Sequence, residues 1–319
     1  MTYVGSVVIY PCSKKIPVVN LLTYNMQKLP NFIIIGAPKS GTTSLYFYLR
    51  QHPDIYLPPE KELNYFSKSY EAKNLNGAGD SNAFNRGYHS WATYSQQYAE
   101  VQHQTAIGEI SPNYFYYATQ VGKSIHQQLG TVKIIIILRN PVDKTYSQYM
   151  HLVREGRETL DFYQALHTER RNWADVWRYA ESSLYTQRVK AYFQLFGKKN
   201  VKVILFHNLV NHTQSILTEL FEFLEINPDI KCDTSKIYNR TGKPYSKSLA
   251  NLLTNANMMK RIGKLFIPKP VRQALTLKMV DLNTKPKESM DNLSREYLKR
   301  FFENDIIELD TLLDCKTGW

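Results

Sequence analysis

The stretch "FIIIGAPKSGTTSLYFYL", residues 32–49, decides the fold. Its apolar, β-branched residues 33–35 predict a strand that is buried on both faces. Gly36 and Gly41 follow with the glycine spacing of a phosphate-binding loop, and we expect a helix from about Gly41 to Gln51. A strand, a glycine loop and a helix in this order predict a parallel α/β sheet with an anion site at the helix N-terminus.

The loop differs from that of nucleotide triphosphatases in the position of its lysine. Their pattern, G-x-x-x-x-G-K-[ST], has lysine directly after the second glycine, where this chain has Thr42. Lys39 lies inside the loop, so we expect it to lie over a bridging oxygen or the transferred group of a ligand. Backbone N–H groups of residues 39–44 would hold the anion. Hydroxyl donors in the loop are Ser40, Thr42, Thr43 and Ser44. The alternative is a tight turn without a ligand, which does not need so many Lys, Ser and Thr residues.

A second buried strand, "KIIIIL" at 133–138, ends at Arg139. Magnesium-dependent phosphoryl-transfer enzymes place an aspartate at this edge, whereas a cation there suits another phosphate and opposes a metal. The helix that follows begins near Pro141 and carries Ser147, a further donor. By itself a strand-end arginine is more often part of a salt bridge. Together with the loop, the pair predicts a nucleotide with phosphates at two places and no metal ion.

The remaining chain continues the alternation of strands and helices. A third core strand is predicted at 201–206, and residues 67–105 are expected to be rich in loops, with a short helix around "WATYSQQYAE". Residues 227–290 are also expected to be mostly loop. Further helices are predicted near 181–196, 213–225 and 293–313. These elements predict a single α/β domain over residues 31–319, a central parallel sheet flanked by helices, preceded by an arm or hairpin over 1–30.

Composition limits the function classes. The 319 residues carry a formal charge of +12, which suits an anionic ligand, although a solvated basic surface is an equal alternative. Basic residues are spread along the chain, so nucleic-acid binding is not favoured. The longest apolar runs are about one strand long, so no membrane span is expected. Three distant cysteines and an N-terminus without a signal-peptide pattern favour a reducing, cytoplasmic location.

The two phosphate motifs resemble those of the sulfotransferases that use 3′-phosphoadenylyl sulfate (PAPS). "GAPKSGTTSLYFYLRQHPDI…KELNYF" is similar to the 5′-phosphosulfate loop of the branch that contains the heparan sulfate sulfotransferases, and "RNPVDKTYSQYMH" resembles the family's 3′-phosphate motif. The similarity runs from about residue 31 to the C-terminus. It implies a single α/β domain that transfers a sulfonate group from PAPS to a hydroxyl or, less often, an amine. The product is adenosine 3′,5′-bisphosphate (PAP), and no metal takes part.

The resemblance also implies roles for residues at matching positions. Residues 39–44 would hold the 5′-phosphosulfate, with Lys39 neutralising charge on the leaving phosphate oxygen. Arg139 and Ser147 would hold the 3′-phosphate, and Tyr185 would contact the nucleotide, with core packing as an equal alternative. A loop over the 3′-phosphate would include residues of "YNRTGKPYSKSL", although their order departs from the family's. These residues are Arg240, Gly242 and Lys243.

Glu62 in "KELNYF" matches the position of the catalytic base in this branch. A carboxylate there would take the acceptor proton. The alternatives are a solvent-exposed acid beside Lys61, or a base supplied by Glu60 or His151, the last of which could instead pack within its helix. Many glycan-modifying members have a lysine where this chain has Ile110, which argues against a highly sulfated glycan acceptor. His207, where an acid is common, is expected to be structural.

The acceptor is not fixed by the sequence. Candidates are an intracellular lipid, a polyketide or carrier-bound hydroxyacyl chain, a secondary metabolite or other small molecule, and a glycan. Two other functions remain as alternatives. One is a kinase of a small molecule that uses Mg-ATP, which the displaced lysine and Arg139 oppose. The other is a non-catalytic polyanion-binding module, which the charge alone suggests.

Overall fold

The computed structural model describes residues 28–71, 75, 77–84, 88–168, 175–236 and 289–319. Its centre is one five-stranded sheet with the strand order β2-β3-β1-β4-β5, in which every neighbouring pair is parallel. The strands are β1 Phe32–Gly36, β2 Ile55–Tyr56, β3 Ala106–Ile110, β4 Lys133–Leu138 and β5 Val201–Leu205. The predicted α/β fold with a central parallel sheet is therefore confirmed.

Helices cover both faces of this sheet. The α-helices are α1 Thr42–Leu49, α2 Lys68–Glu71, α3 Asp80–Phe84, α4 Trp91–Ser95, α5 Ala118–Leu129, α6 Pro141–Arg154, α7 Phe162–His167, α8 Thr186–Phe196, α9 Phe206–Asn211, α10 Thr213–Phe223 and α11 Asn292–Leu313. Short 3-10 helices span Tyr65–Ser67, Gln96–Tyr98, Pro112–Phe115, Asp175–Trp177, Glu181–Ser183 and Lys198–Asn200. Across the described segments, no helix combines the length and the apolar character that a membrane span requires.

The apolar run of β1 is buried on both faces because successive side chains of a strand point to opposite sides. Ile33 and Ile35 belong to the core under α5 and α8. Phe32 and Ile34 belong to the core on the other face, under α1 and α10. A third core joins α6, α7 and α11 beside the sheet. All five residues of β1 are buried, which makes it the centre of the molecule.

The strand register brings three chain segments to one edge of the sheet. Ile34 of β1 is paired with Ile110 of β3 and with Ile135 of β4. Because the strands are parallel, their carboxyl ends meet at the same edge. The glycine loop after β1, the segment after β3 and Arg139 after β4 therefore lie side by side.

Most predicted elements are present, with shifted ends. The strand predicted at 133–138 is β4, and those predicted around 33–35 and at 201–206 are β1 and β5. The prediction of one helix over 181–196 is wrong in its first part, because the α-helix begins only at Thr186 after a 3-10 turn. β2, β3 and α5 were not predicted. The arm expected at 1–30 lies outside the described residues up to residue 27, as do residues 237–288 of the expected loop region.

Candidate active site

The loop between β1 and α1 has a backbone that requires both of its glycines. Gly41, the N-cap of α1, is left-handed at φ 85°, and a Cβ there would lie 2.8 Å from Phe206 Cε2. Gly36 has φ 147°, and a Cβ there would lie 2.6 Å from the Phe115 Cβ. Both distances are shorter than an ordinary van der Waals contact of a Cβ atom. The loop is thus pressed between two aromatic residues, which fixes the direction of its N–H groups.

The hydroxyls of the loop differ in their surroundings. Ser40 is fully buried, and its Oγ has no hydrogen-bond partner. An unpaired buried hydroxyl is costly, and an oxyanion bound in the loop would satisfy it. Thr43 Oγ1 accepts a hydrogen bond from Lys61 Nζ at 3.3 Å. Thr42 is buried and Ser44 is half-buried. The loop therefore fits an anionic ligand.

Lys39 is a half-buried, left-handed residue with φ 65°. Desolvation, followed by the repulsion of Arg154, lowers its pKa to about 7, although Glu155 and Glu62 act in the opposite direction. Within the described part of the chain, no carboxylate oxygen lies within 4.0 Å of its Nζ. The ammonium group is therefore short of negative charge, and an oxyanion would supply it.

Arg139 joins the end of β4 to the loop. Its Nη1 donates a hydrogen bond to the Lys39 carbonyl at 3.1 Å, and its guanidinium lies 5.0 Å from the centre of the Phe206 ring. Burial lowers the pKa of Arg139, with Asp143 acting in the opposite direction. The Tyr185 hydroxyl donates to the Arg139 carbonyl at 2.8 Å. The two predicted phosphate sites are thus neighbours, connected by one side chain.

Two residues that were predicted to contact the nucleotide have buried side chains. Tyr185 is 1% exposed and packs against Phe115 and Trp319, so the structure favours the packing alternative and gives it a role in holding Arg139. Ser147 of α6 is also 1% exposed, and its contact with a 3′-phosphate stays a prediction. The predicted loop residues Arg240, Gly242 and Lys243 lie outside the described residues.

Glu62 lies between the loop and the end of β3. Its N–H donates to the Ile110 carbonyl at 3.0 Å, and its left-handed backbone, φ 65°, leaves the side chain 49% exposed. Its Oε1 is 2.8 Å from Lys61 Nζ, so the ion pair of the alternative interpretation is present. Glu62 nevertheless acts on the pKa of Lys39, which places the carboxylate close to the loop.

Glu60, the neighbouring alternative, is held elsewhere. Its Oε2 accepts a hydrogen bond from the Tyr88 hydroxyl at 2.8 Å. Burial and this contact raise the pKa of Tyr88 to about 12, so the phenol stays protonated. Glu62 is among the strongest charge influences on the pKa of Lys39, and Glu60 is not. The geometry therefore favours Glu62 over Glu60 as the base.

A buried hydrogen-bond network supports the segment that carries Glu62, and the sequence did not predict it. Glu109 of β3 accepts hydrogen bonds from the hydroxyls of Ser111 and Tyr114 at 2.6 Å and of Tyr94 at 2.7 Å. Ser111 Oγ in turn accepts from the Asn64 N–H at 3.1 Å. Burial raises the pKa of Glu109. Ile110, the next residue, is buried in the core, so its side chain brings no cation to the site.

The last turn of α6 forms another wall of the site. His151 Nδ1 lies 3.1 Å from Arg154 Nη2, and His151 Nε2 lies 3.6 Å from Glu155 Oε1. Arg157 is 3.5 Å from the other oxygen of Glu155 and also pairs with Asp80. Ser147, His151 and Arg154 follow the spacing of one helix face, the signal from which Arg154 could have been found.

A cleft of about 460 Å³ opens beside Arg139. Phe206 and Trp319 are among the residues that line it. His207 is exposed on its wall rather than packed inside, contrary to the structural role expected from the sequence. The cleft is large enough for a nucleoside and contains two aromatic rings on which a base can stack.

Comparison with known proteins identifies the family. Residues 30–229 match the model of the "Sulfotransferase family". A solved sulfotransferase from Alicyclobacillus acidocaldarius is similar over 91% of this chain and 97% of its own, with 31% identity and a TM-score of 0.72. Among curated relatives, the "Membrane-associated sulfotransferase kil1" of Dictyostelium discoideum is 36% identical over 121 residues, 38% of this chain and 22% of that protein. The "Bifunctional heparan sulfate N-deacetylase/N-sulfotransferase 4" of Mus musculus is 24% identical over 296 residues, 89% of this chain and 30% of that protein.

The chain thus spans less than a third of the length of these two curated relatives. The family model nevertheless covers more than half of the chain, and the similarity to the solved sulfotransferase extends over nearly all of both chains. The match begins with β1 and includes the loop, Arg139 and the whole sheet. The chain therefore belongs to the sulfotransferase family, the family that its two phosphate motifs resemble.

Proposed function

We propose that this chain transfers a sulfonate group from PAPS to a hydroxyl group of an intracellular acceptor. One observation carries the proposal: Arg139 donates a hydrogen bond to the backbone carbonyl of Lys39, so the cation that ends β4 is attached to the glycine loop that carries Lys39. In the described segments, neither cation has a carboxylate oxygen within 4.0 Å. A ligand with two separated phosphate groups would satisfy both.

The residues present fit PAPS. The loop N–H groups, Lys39 and the unpartnered Ser40 hydroxyl would hold the 5′-phosphosulfate. Arg139 would hold the 3′-phosphate, with Ser147 as the second donor that the resemblance implies. The adenosine would lie in the cleft between Phe206 and Trp319. When bound, PAPS supplies the sulfonate group and a bisphosphate leaving group.

The chemistry then depends on two side chains. Glu62 accepts the proton of the acceptor hydroxyl as its oxygen forms a bond to sulfur. Lys39 donates to the phosphate oxygen, which keeps the electron pair of the breaking S–O bond. The Lys61 ammonium, 2.8 Å from Glu62 and 3.3 Å from Thr43, holds the carboxylate beside the loop. The buried Glu109 network fixes the backbone of the same segment.

His151 is less suited to act as the base. The Arg154 guanidinium only donates, so His151 Nδ1 must accept, and the ring proton is on Nε2. The Nε2–H then faces Glu155. The nitrogen that carries a lone pair is thereby occupied by Arg154, and Glu62 remains the base that the geometry favours.

The proposal describes the acceptor by its class. Small-molecule, carrier-bound and glycan acceptors are all compatible with the exposed position of Glu62. An intracellular acceptor is supported by Cys232 and Cys315, which are free thiols, as expected in a reducing compartment. The buried Ile110 side chain supports an acceptor other than a highly sulfated glycan.

Sulfur-labelled PAPS tests the proposal against the kinase alternative. We expect transfer of label from PAPS to a component of a cell extract, at the same rate with and without excess EDTA, because Arg139 takes the place of a metal-binding aspartate. Consumption of ATP that is lost in EDTA and restored by Mg²⁺ would support a kinase instead. Heparin binding without affinity for PAP or PAPS would support the polyanion-binding module.

A further inference from the structure

Arg154 is a cation for which the proposed reaction has so far given no role. It ends α6, and its guanidinium is half-buried. Its hydrogen bond goes to His151, a neutral imidazole in this arrangement. Over the described residues, no carboxylate oxygen lies within 4.0 Å of the guanidinium. A charge taken out of water in this way requires a partner, and the described side chains around it do not provide one.

The acids near Arg154 are committed to other groups. One oxygen of Glu155 faces His151 Nε2 at 3.6 Å, and the other faces Arg157 at 3.5 Å. Arg157 is shared further with Asp80 and with the Ala78 carbonyl. Glu62 is paired with Lys61 at 2.8 Å. The negative charges of this wall are therefore balanced without Arg154.

The position of Arg154 relative to the loop is shown by its effect on Lys39. After desolvation, the charge of Arg154 is the largest influence that lowers the pKa of Lys39, larger than that of Arg139. The negative charges of Glu62 and Glu155 raise the pKa of the same lysine. Arg154 and Glu62 are therefore both close enough to act on Lys39, beside which the proposed function places the transferred sulfonate.

We infer that Arg154 binds an anionic group of the acceptor, so that the acceptor is a hydroxyl compound carrying a carboxylate, phosphate or sulfate near the hydroxyl that is sulfonated. This inference rests on the proposed function and narrows its acceptor class. The guanidinium offers a planar pair of donors to the anion. His151 positions it, because the hydrogen bond to Nδ1 holds the guanidinium in one orientation while Glu155 faces the opposite ring nitrogen.

A different assignment would give Arg154 to the cofactor, as a second cation on the phosphosulfate. The two assignments differ in which kinetic constant depends on Arg154. If the anion belongs to the acceptor, the loss of the guanidinium raises the KM for the acceptor and leaves the KM for PAPS and the affinity for PAP unchanged. If it belongs to the cofactor, the KM for PAPS rises with every acceptor.

The experiment uses the full chain, sulfur-labelled PAPS and a cell extract separated by anion exchange at neutral pH into an anionic and a neutral fraction. We expect labelled product from the anionic fraction with the wild-type protein. With Arg154→Gln, the KM for that fraction should rise about 10- to 100-fold, the range for removing one partner of a desolvated charge pair. Arg154→Lys should recover part of this loss, because it keeps the charge and loses the paired donors.

The matched control is Arg300→Gln, which removes the same charge from an exposed position on α11 and should leave both KM values unchanged. PAP affinity, measured by thermal shift at pH 6, where Lys39 is mainly charged in every variant, should be equal in all four proteins and shows that the variants are folded. Label in products of the neutral fraction alone, or a raised KM for PAPS in Arg154→Gln, would overturn the inference and leave the proposed function standing. Label in neither fraction, together with an absence of PAP binding, would overturn both.

Discussion

At the scale of single residues, Lys39 connects protonation to ligand binding. Its pKa is lowered to about 7 from the ordinary 10.5, mainly by desolvation. Between these values the free protein holds a neutral lysine, whereas a phosphate beside it favours the ammonium form. We expect PAP binding to take up a proton, and its affinity to fall as the pH rises above about 7. Calorimetric titrations at pH 8 in two buffers of different ionisation enthalpy measure this uptake.

The same lysine separates binding from chemistry. Lys39→Ala should abolish the proton uptake and lower the rate of sulfonate transfer by about 10²–10³-fold, as for a lost oxyanion donor. PAP affinity should fall less, because the loop N–H groups remain. Equal heats in both buffers for the wild-type protein would show that Lys39 is already charged before PAP binds. Equal losses of rate and affinity in the variant would make Lys39 mainly a binding group.

Glu62 and Glu60 form a natural pair for comparison, since they are two residues apart and only Glu62 is among the strongest influences on the pKa of Lys39. Glu62→Gln keeps the size of the side chain and removes the basic oxygen. Transfer should slow by about 10²–10⁴-fold, the usual contribution of a positioned base. PAP binding should stay at the wild-type value. Glu60→Gln, whose carboxylate faces Tyr88, is the control and should remain active. If Glu62→Gln is active and Glu60→Gln or His151→Ala is inactive, the base is Glu60 or His151 and not Glu62.

At the scale of elements, β3 depends on the acceptor oxygens of Glu109. Glu109→Leu leaves three buried hydroxyls without their acceptor, and each such loss costs about 1–3 kcal/mol. Glu109→Gln keeps an acceptor oxygen and should cost much less. Denaturation by urea compares the two. Similar losses in both variants would mean that packing, not hydrogen bonding, holds this segment.

The difference in stability between the wild-type protein and Glu109→Gln should change with pH in one direction. Burial raises the folded-state pKa of Glu109 above its ordinary 4.5. A carboxyl with a raised pKa contributes stability that is present below its ordinary value and is lost as the pH rises through the folded value. The stability of the wild-type protein relative to Glu109→Gln should therefore decline as the pH rises above 4.5. A constant difference across this range would contradict the shift.

The strands that were predicted have their signal within their own sequence. The strand that was missed depends on residues elsewhere in the chain. β1 is a continuous apolar run, β4 is one after Lys133, and β5 is interrupted only by Lys202, and these strands were predicted. β3 contains Gly108 and Glu109, which interrupt the pattern. Gly108 is required because a Cβ there would lie 2.1 Å from the Phe32 ring, and Glu109 is tolerated because its hydrogen-bond donors come from Tyr94, Ser111 and Tyr114. Neither reason can be read from the strand itself.

The start of α8 shows the same limit. Its first N–H groups are capped by Asp305 of α11, which accepts from Tyr185 at 2.7 Å and from Thr186 at 3.1 Å. No residue near the helix start in the sequence indicates this cap. Within the candidate site, the glycine loop and Arg139 were predicted because each follows a strong strand. Arg154 was not singled out, although its spacing from Ser147 and His151 places all three on one face of α6.

At the scale of the whole molecule, a ligand that engages both phosphate sites should stabilise the fold. PAP at about 100 times its dissociation constant should add about 2.7 kcal/mol to the free energy of unfolding. Adenosine 5′-phosphate at the same concentration should add much less, because Arg139 has no phosphate to bind. Thermal unfolding with each nucleotide measures the difference. In Arg139→Met the two nucleotides should give the same shift, and equal shifts in the wild-type protein would refute the two-site arrangement.

The strand order β2-β3-β1-β4-β5 has a consequence for how the chain folds during its synthesis. β1 emerges first among the strands, yet Phe32 is paired with Gly108 and with Lys133, which are made much later. Since translation adds about 5–20 residues per second, the apolar run "FIIIG" waits several seconds for its neighbours. During that interval the centre of the future sheet has no partner strand of its own. The nascent chain therefore carries an unpaired apolar strand until β3 and β4 have been made.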